Sequence, residues 1–170
     1  MEHPFFTIVI IFIVLAIGYL IRSFFIFVTT VTSISMLPLL EPGDKILTRR
    51  IYNYSDIKRG DILVFFSQEL NKTLIKRVIG LPGDLIEIRS DGSVFINSEL
   101  YEEPYLAYRA GSSGLFRVPR GQYFLIGDNR PKSSDSRNWK KAYVPAKHIL
   151  GKGLFSLKPF RAIHQNARRK

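Results

Sequence analysis

A run of 17 residues without a charged side chain, residues 5–21 (FFTIVIIFIVLAIGYLI), constrains the fold more than any other feature of this chain. A helix needs roughly 17–25 apolar residues to cross the hydrocarbon core of a bilayer. A cleavable signal peptide would have a basic leader, a shorter apolar run and a small-residue exit site. The leader MEHP has no Lys or Arg, and no A-x-A site follows the run. The sequence therefore favours a retained transmembrane anchor over residues 1–22.

Beyond the anchor, short runs of β-branched and aromatic residues alternate with turn-forming residues. The predicted strands are ILVFF (62–66), TLIKRVIG (73–80), LIEIR (85–89), SVFIN (93–97) and YFLIG (123–127). The turn signals are EPGD (41–44), KRGD (58–61), LPGD (81–84), SDGS (90–93) and VPRGQ (118–122). Helix is expected only in short pieces, such as a turn in PAKHI (145–149). We predict a mainly β domain over residues 23–160, an irregular antiparallel sheet or barrel-like fold with an N-terminal transmembrane helix, and a basic tail over residues 161–170.

The composition narrows the chemistry. The chain has no cysteine, which excludes a disulfide scaffold and a thiolate nucleophile. Its three histidines, His3, His148 and His164, stand apart from one another and from any acidic cluster at ligand spacing, so we expect neither a metal site nor a cofactor.

A net charge of +11 suggests either nucleic acid or an anionic membrane surface as a partner. The sequence contains no helix-turn-helix pattern, zinc finger or aromatic RNA-binding motif. Together with the apolar N-terminus, this favours anionic membrane lipids and argues against nucleic acid.

Two serines one position apart interrupt the apolar stretch VTSISMLPLL (31–40). If residues 31–36 are extended, Ser33 and Ser35 point to the same side. One hydroxyl could then attack a carbonyl while the other stabilises the oxyanion that forms. The alternative is that both are capping or turn hydroxyls.

A serine nucleophile needs a base, and the sequence offers Lys76 within the apolar run LIKRVIG. Strand alternation places Leu74 and Lys76 on one face, with Ile75 and Arg77 on the other. An ordinary lysine pKa is about 10.4, but burial disfavours the charged form and lowers the pKa, so that a neutral amine can accept a proton. The alternative is a strand-edge lysine whose amine reaches solvent.

Four motifs that occur in order along the chain connect Ser33, Ser35 and Lys76 with one another. SISMLP (33–38), GDILVF (60–65), KRVIGLPGD (76–84) and GDNRPKSSDSR (127–137) follow a membrane segment in one chain. From about Arg22 to Phe155 the chain resembles the type I signal peptidases, the membrane-bound serine–lysine proteases of the S26 family. The combination of KRVIGLPGD with a GDNR loop that contains S-x-DSR is highly specific to that family.

The resemblance assigns roles position by position. Ser35 matches the nucleophile and Lys76 the general base, while Ser33 and the Ser35 N–H match the oxyanion hole. Ser133 matches the serine that hydrogen-bonds and orients the lysine. A supporting salt-bridge network is matched by four residues: Arg77, Asp128, Asp135 and Arg137.

The resemblance also implies a substrate pocket for small side chains. Our candidates for its walls are Val31, Leu40, Leu74 and Ile75. The chain departs from the usual family pattern in two places. Leu39 stands where a threonine usually follows the proline, and Pro131 and Lys132 replace an Asp-Asn pair.

These matches imply a membrane-anchored serine endopeptidase that removes N-terminal signal peptides from preproteins, cutting after small residues (Ala-X-Ala) through an acyl-enzyme. We expect a monomer with one membrane span in the bacterial cytoplasmic membrane and its catalytic domain on the extracytoplasmic face. Two alternatives remain: a peptidase of the mitochondrial inner-membrane type within the same family, and an inactive membrane-anchored homologue that binds signal peptides or lipids.

Overall fold

The computed structural model describes residues 4–109, 113–157 and 160–163. One α-helix, α1 (Pro4–Phe24), precedes the strands. The strands are β1 (Ile26–Thr30), β2 (Lys45–Arg50), β3 (Ile62–Ser67), β4 (Lys72–Gly80), β5 (Leu85–Ile88), β6 (Val94–Ile96), β7 (Glu99–Leu100), β8 (Gly114–Arg117), β9 (Gln122–Ile126), β10 (Val144–Pro145), β11 (Ile149–Leu157) and β12 (Phe160–Ala162). Short 3₁₀ turns cover Ile34–Met36, Tyr54–Asp56, Arg130–Lys132 and Ala146–His148.

The helix α1 is apolar on every side. It is long and hydrophobic enough to cross a membrane by length and composition, and none of its most apolar stretch is buried against the rest of the chain. Proline at its first position suits a helix start, where the missing N–H has no intrahelical partner. A surface of this kind is stable in lipid and costly in water.

The junction between α1 and the sheet is short and tied down. One residue, Phe25, separates α1 from β1. The Arg50 N–H donates to the Phe25 carbonyl (2.8 Å), and the Arg50 Nε–H donates to the Ser23 carbonyl (3.2 Å). The Tyr52 hydroxyl donates to the Phe24 carbonyl. Carbonyls at the end of the helix that have no intrahelical donor are thus satisfied by the sheet.

The strands form two antiparallel sheets. The larger has the order β1-β2-β11-β3-β4-β9-β10, with β12 also paired to β11, and the smaller has the order β7-β6-β5-β8. Every pairing is antiparallel. The prediction of a mainly antiparallel β domain on an N-terminal apolar helix is confirmed.

The turn motifs that end in Gly-Asp share one geometry. In EPGD, KRGD and LPGD, the aspartate carboxylate accepts the backbone N–H of the residue three positions earlier. The glycines before these aspartates have φ values of +86° to +95°, a conformation that side chains with a Cβ rarely adopt. This explains why the same Gly-Asp ending recurs before β2, β3 and β5.

The five predicted strands correspond to β3, β4, β5, β6 and β9, but the nine-residue β11 was not predicted. Its sequence ILGKGLFSL contains two glycines, which normally weaken a strand. Here they allow close approach between strands. A Cβ at Gly151 would lie 2.5 Å from the Arg49 carbonyl oxygen, and one at Gly153 would lie 3.2 Å from Ile46 Cγ2.

The predicted boundary of the basic tail is also corrected. Phe160–Ala162 form β12, and the buried Ile163 donates its N–H to the Leu154 carbonyl (2.8 Å). Pairing with β11 therefore extends the domain to residue 163, whereas the predicted tail begins at residue 161. Residues 164–170 of that tail lie outside the described residues.

Apolar side chains pack on both faces of the large sheet. Leu63 and Phe65 of β3 point into one core cluster, and Ile62 and Val64 point into another. The second cluster includes Met36, from the turn that carries the two serines. Packing of this turn against the sheet places it beside β4.

Candidate active site

The turn that carries Ser33 and Ser35 is not extended as predicted. Ser33 has extended backbone angles (φ −136°, ψ 160°), but Ile34–Met36 form one turn of 3₁₀ helix. In a strand, residues two apart are separated by about 6.6 Å along the chain. The tighter turn brings the Ser33 Oγ and Ser35 Oγ atoms to 3.1 Å, within hydrogen-bond distance. The two hydroxyls therefore lie side by side because of the 3₁₀ turn and not because of the predicted strand.

The loop over residues 127–137 holds this turn from outside. Asn129 donates its backbone N–H to the Ser35 carbonyl (3.0 Å) and its side-chain amide to the Ile34 carbonyl (3.0 Å). A Cβ at Gly127 would lie 2.5 Å from the Ser35 carbonyl oxygen and 2.2 Å from Ser133 Oγ. Glycine is therefore required at 127 for the loop to pack against the serine turn.

Lys76, on β4, reaches Ser35 from the sheet. Its Nζ lies 2.5 Å from the Ser35 Oγ, and the two residues are 2% and 6% exposed. Burial lowers the pKa of Lys76 from 10.5 to about 8, and the charges of Asp135 and Asp128 partly oppose this. The amine is thus neutral in a substantial fraction of molecules at mildly alkaline pH.

Ser133 lies against Gly127 and the serine turn. The residue is buried, and its hydroxyl has no hydrogen-bond partner within the described residues. A buried hydroxyl without a partner is uncommon and costs free energy. The structure places Ser133 beside the site without a bond to Lys76, so its lysine-orienting role stays a prediction.

Arg77, the neighbour of Lys76, lies on the supporting side of β4. It donates two parallel hydrogen bonds to Asp128, Nε to Oδ1 at 2.8 Å and Nη2 to Oδ2 at 2.6 Å, and both side chains are fully buried. It also donates to the Gly60 carbonyl (3.0 Å), and its guanidinium lies 3.8 Å from the centre of the Tyr105 ring. Burial alone would lower the pKa of Arg77, but the bonds to Asp128 raise it overall.

A second ion pair stiffens the loop itself. Arg137 donates to both Asp135 carboxylate oxygens, at 2.8 and 2.9 Å. The fully buried Asp135 also accepts the Gly127 N–H (3.0 Å), which fixes the glycine under the serine turn. All four residues predicted as structural support therefore lie in two buried or nearly buried pairs.

Sequence reasoning missed a third buried pair. Arg130 forms an ion pair with Glu103 and donates its Nε–H to the Gly127 carbonyl (3.1 Å). The Tyr105 hydroxyl also donates to Glu103, which links this pair to the Arg77 stack. The signal available in the sequence was the stretch YEEPY (101–105), with its two carboxylates between tyrosines.

A cleft of about 370 Å³ opens beside the two serines and Lys76. It is lined by Thr29, Thr30, Val31, Thr32, Ser33, Ile34, Ser35, Met36, Leu70, Lys72, Thr73, Leu74, Ile75, Lys76, Lys132 and Ser134. Three of the predicted wall residues, Val31, Leu74 and Ile75, are among these. Leu40 is not among them: its side chain is fully buried in the core beside Leu39, and this part of the prediction is corrected.

The arrangement has the parts of nucleophilic catalysis by a serine. It combines a hydroxyl, a buried amine with a lowered pKa in contact with it, and a second hydroxyl 3.1 Å away. Within the described ranges, no group of three or more His, Cys, Asp or Glu side chains could hold a metal ion. The fold and site thus fit the class of β-rich serine hydrolases.

Comparison with known proteins specifies the class further. The family described as signal peptidase, peptidase S26, matches residues 5–157. Signal peptidase I of Bacillus licheniformis is 36% identical over 167 residues, which cover 91% of this chain and 89% of the relative. Signal peptidase I of Leptolyngbya laminosa is 38% identical over 160 residues, 86% of this chain and 75% of the relative.

A solved structure agrees with these relatives. The crystal structure of a signal peptidase I from Enterococcus faecalis matches with a TM-score of 0.52 at 32% identity, covering 57% of this chain and 96% of that one. The chain belongs to the S26 signal peptidase family, and within it to the type I signal peptidases, which makes it a serine protease.

Proposed function

We propose that the chain is a membrane-anchored endopeptidase that removes N-terminal signal peptides from exported preproteins by means of a Ser35–Lys76 dyad. The observation that carries this proposal is the 2.5 Å contact between a buried amine and a buried hydroxyl at the edge of a cleft. The names of the relatives, signal peptidase I, supply the substrate class.

Acylation would begin with Lys76 in its neutral form. The amine takes the proton of the Ser35 hydroxyl as Oγ bonds to the substrate carbonyl carbon. Negative charge develops on the carbonyl oxygen, and the Ser33 hydroxyl and the Ser35 N–H would donate hydrogen bonds to it. Lys76 then gives its proton to the leaving amine as the peptide C–N bond breaks.

Deacylation would use the same amine a second time. Lys76 takes a proton from a water molecule that attacks the acyl-enzyme, and the proton returns to Ser35 as the ester C–O bond breaks. The buried Ser133 hydroxyl, without a partner in the described structure, would hold the amine in line through both steps.

Substrate selection would follow from the cleft. The edges that flank it can pair with an extended peptide through backbone hydrogen bonds, while side-chain pockets supply selectivity. Val31, Leu74 and Ile75 contribute branched apolar walls to the cleft, and these walls would admit side chains little larger than a methyl group. This supports cleavage after small residues of the Ala-X-Ala type.

The helix α1 would place this site where its substrates lie. We propose one span in the bacterial cytoplasmic membrane, a catalytic domain on the extracytoplasmic face, contact with anionic lipids through the positive net charge, and a monomer. A protease fixed in the bilayer meets membrane-inserted signal peptides at high effective concentration.

The test is cleavage of a preprotein with an Ala-X-Ala site by the full-length chain in detergent micelles. We expect Ser35→Ala and Lys76→Ala each to lower kcat/KM by about 10³-fold or more, with circular dichroism unchanged. Lys58→Ala, an exposed lysine outside the cleft, serves as the matched control and should retain activity.

Two results would redirect the proposal. Near-normal cleavage by Lys76→Ala would remove the lysine from the role of base. Binding of the preprotein without cleavage by the unmodified chain would favour the alternative of an inactive signal-peptide binder.

Cleavage of bacterial presequences but not of mitochondrial intermembrane-space precursors would separate the secretory enzyme from the mitochondrial type.

A further inference from the structure

The charged side chains that line the cleft are all positive among the described residues. Its lining includes three lysines, Lys72, Lys76 and Lys132, and no aspartate or glutamate among the described residues. Lys76 is buried against Ser35, but Lys72 and Lys132 are exposed. Neither of these two cations has a part in the proposed bond-breaking chemistry.

The acidic residue nearest in sequence to Lys72 is engaged elsewhere. Glu69 lies in the hairpin between β3 and β4, and its carboxylate accepts the backbone N–H groups of Lys140 (3.2 Å) and Lys141 (3.0 Å). These bonds tie the hairpin to the segment that follows the 127–137 loop. They join the hairpin that leads into the strand of Lys72 to the part of the chain that carries Lys132, and they hold the Glu69 carboxylate at that segment.

Lys72 lies on the same strand as the catalytic lysine. Four residues along β4 correspond to about 13 Å between the Lys72 and Lys76 Cα atoms. An extended peptide paired beside β4 advances by the same rise per residue. Lys72 would therefore face a substrate side chain about four residues from the scissile bond.

Lys132 is connected to the serine turn through the backbone of Asn129. Its N–H donates to the carbonyl of Asn129 (3.0 Å), the residue that holds the Ser35 carbonyl. Lys132 and Ser134 also line a shallow depression of about 570 Å³ beside the cleft. A peptide that passes from the cleft into this depression would run over the Lys132 side chain.

We propose that Lys72 and Lys132 form a cationic wall that selects substrates with an acidic side chain within about four residues of the cut and disfavours basic ones. This inference rests on the proposed function. Opposite charges at the rim of a binding site raise association rates and discriminate between partners, and like charges repel.

The test uses peptides with one Ala-X-Ala site that differ at a single position. Asp, Asn or Lys is placed at each of the four positions on either side of the cut, and kcat/KM is measured for the full-length chain in uncharged detergent micelles. We expect the best-placed Asp peptide to exceed its Lys counterpart about five-fold at low salt. The ratio should approach one near 1 M salt, where the screening length is about 3 Å.

Variants identify the residues responsible. Lys72→Gln and Lys132→Gln should each reduce the Asp/Lys ratio, at different peptide positions, and Lys132→Glu should invert it at its own position. A purely structural role for Lys132 would not produce such an inversion. Lys58→Gln, an exposed lysine outside the cleft, is the control and should keep the ratio of the unmodified chain.

The outcomes separate the two proposals. If the Asn peptides are cleaved but no position shows an Asp/Lys difference, the cationic wall is refuted and the proposed function stands. If no peptide is cleaved, both fall. If the variants change activity only in anionic vesicles, and equally for all peptides, the lysines contact lipid headgroups and the selectivity proposal is overturned.

Discussion

Lys76 and Arg77 are neighbours on one strand, both are buried, and their surroundings differ completely. Arg77 donates two hydrogen bonds to a carboxylate and one to a backbone carbonyl, and its guanidinium lies against an aromatic ring. Lys76 contacts a serine hydroxyl, and no carboxylate lies within ion-pair distance of its amine in the part of the chain that the structure describes. Arg77 stays charged, whereas the pKa of Lys76 falls to about 8.

The comparison shows what separates a structural cation from a reactive one. A buried charge that is fully paired holds elements together, and removing its partner leaves an uncompensated charge. A buried amine without a counter-ion destabilises the fold and is kept where its neutral form is useful. Adjacent positions on a strand point to opposite faces, so one strand supplies both environments.

The largest effect on stability is expected when the paired cation is removed. Arg77→Met leaves Asp128 buried without its partner, and we expect the free energy of unfolding to fall by about 3–5 kcal/mol in urea denaturation. Arg89→Met, which removes an exposed pair with Glu87, is the matched control and should cost less than about 1 kcal/mol. Equal losses in the two variants would show that the buried pair contributes nothing special.

Removing the unpaired cation should have the opposite sign. The drop of the Lys76 pKa from 10.5 to about 8 corresponds to about 3 kcal/mol of destabilisation at neutral pH. Lys76→Met should therefore raise the free energy of unfolding at pH 7, by about 2 kcal/mol once the lost contact with Ser35 is allowed for, while activity disappears.

The pH dependence of that difference checks its origin. Between about pH 8 and 10.5 the unfolded chain binds a proton at Lys76 that the folded chain does not, so the stability of the unmodified protein rises with pH in this window. The advantage of Lys76→Met should shrink over the same range. An advantage that is constant from pH 7 to 10.5 would assign the effect to packing.

Activity should follow the same titration. With a pKa of about 8, about one tenth of the Lys76 amines are neutral at pH 7, so kcat/KM should rise about ten-fold toward alkaline pH and level off above the pKa. Initial rates on a neutral peptide between pH 6 and 9.5 measure this. A flat profile over this range, with chemistry rate-limiting, would contradict the lysine base.

The smallest effect concerns Lys72. Its positive charge lowers the pKa of Lys76, though less than burial does. If the two lysine charges are as far apart as their Cα atoms, about 13 Å, their repulsion in a water-like medium is on the order of 0.3 kcal/mol. Lys72→Gln should therefore shift the pH–rate profile toward higher pH by roughly 0.2 pH units at low salt. A shift in the acidic direction would mean that Lys72 acts on Lys76 by some route other than charge.

The sequence predicts what local patterns and motifs control. Runs of β-branched residues locate β3, β4 and β9 to within two residues, because those patterns fit a half-buried pleated surface. The motifs also indicate that Ser35 and Lys76 belong together, although 41 positions separate them in the chain.

Other features depend on contacts that no local pattern records. The 3₁₀ turn at the serines is held by Asn129, which is far away in the sequence, and the Glu103–Arg130 pair joins two loops. Leu40 was predicted to line the cleft, but the turn after Met36 directs it into the core. The two glycines of β11 obscure its strand pattern in the sequence, and the close approach of neighbouring strands explains why glycine is present there.

The junction after α1 has a mechanical consequence. Ser35 lies eleven residues beyond the end of the helix, and most of that distance is β1 and the serine turn. With one connecting residue, and with Arg50 and Tyr52 hydrogen-bonded to carbonyls of the last turn, the helix end is joined to the β domain at more than one point. The distance from the end of the helix to the cleft is thus set by β1 and by these bonds rather than by a long linker.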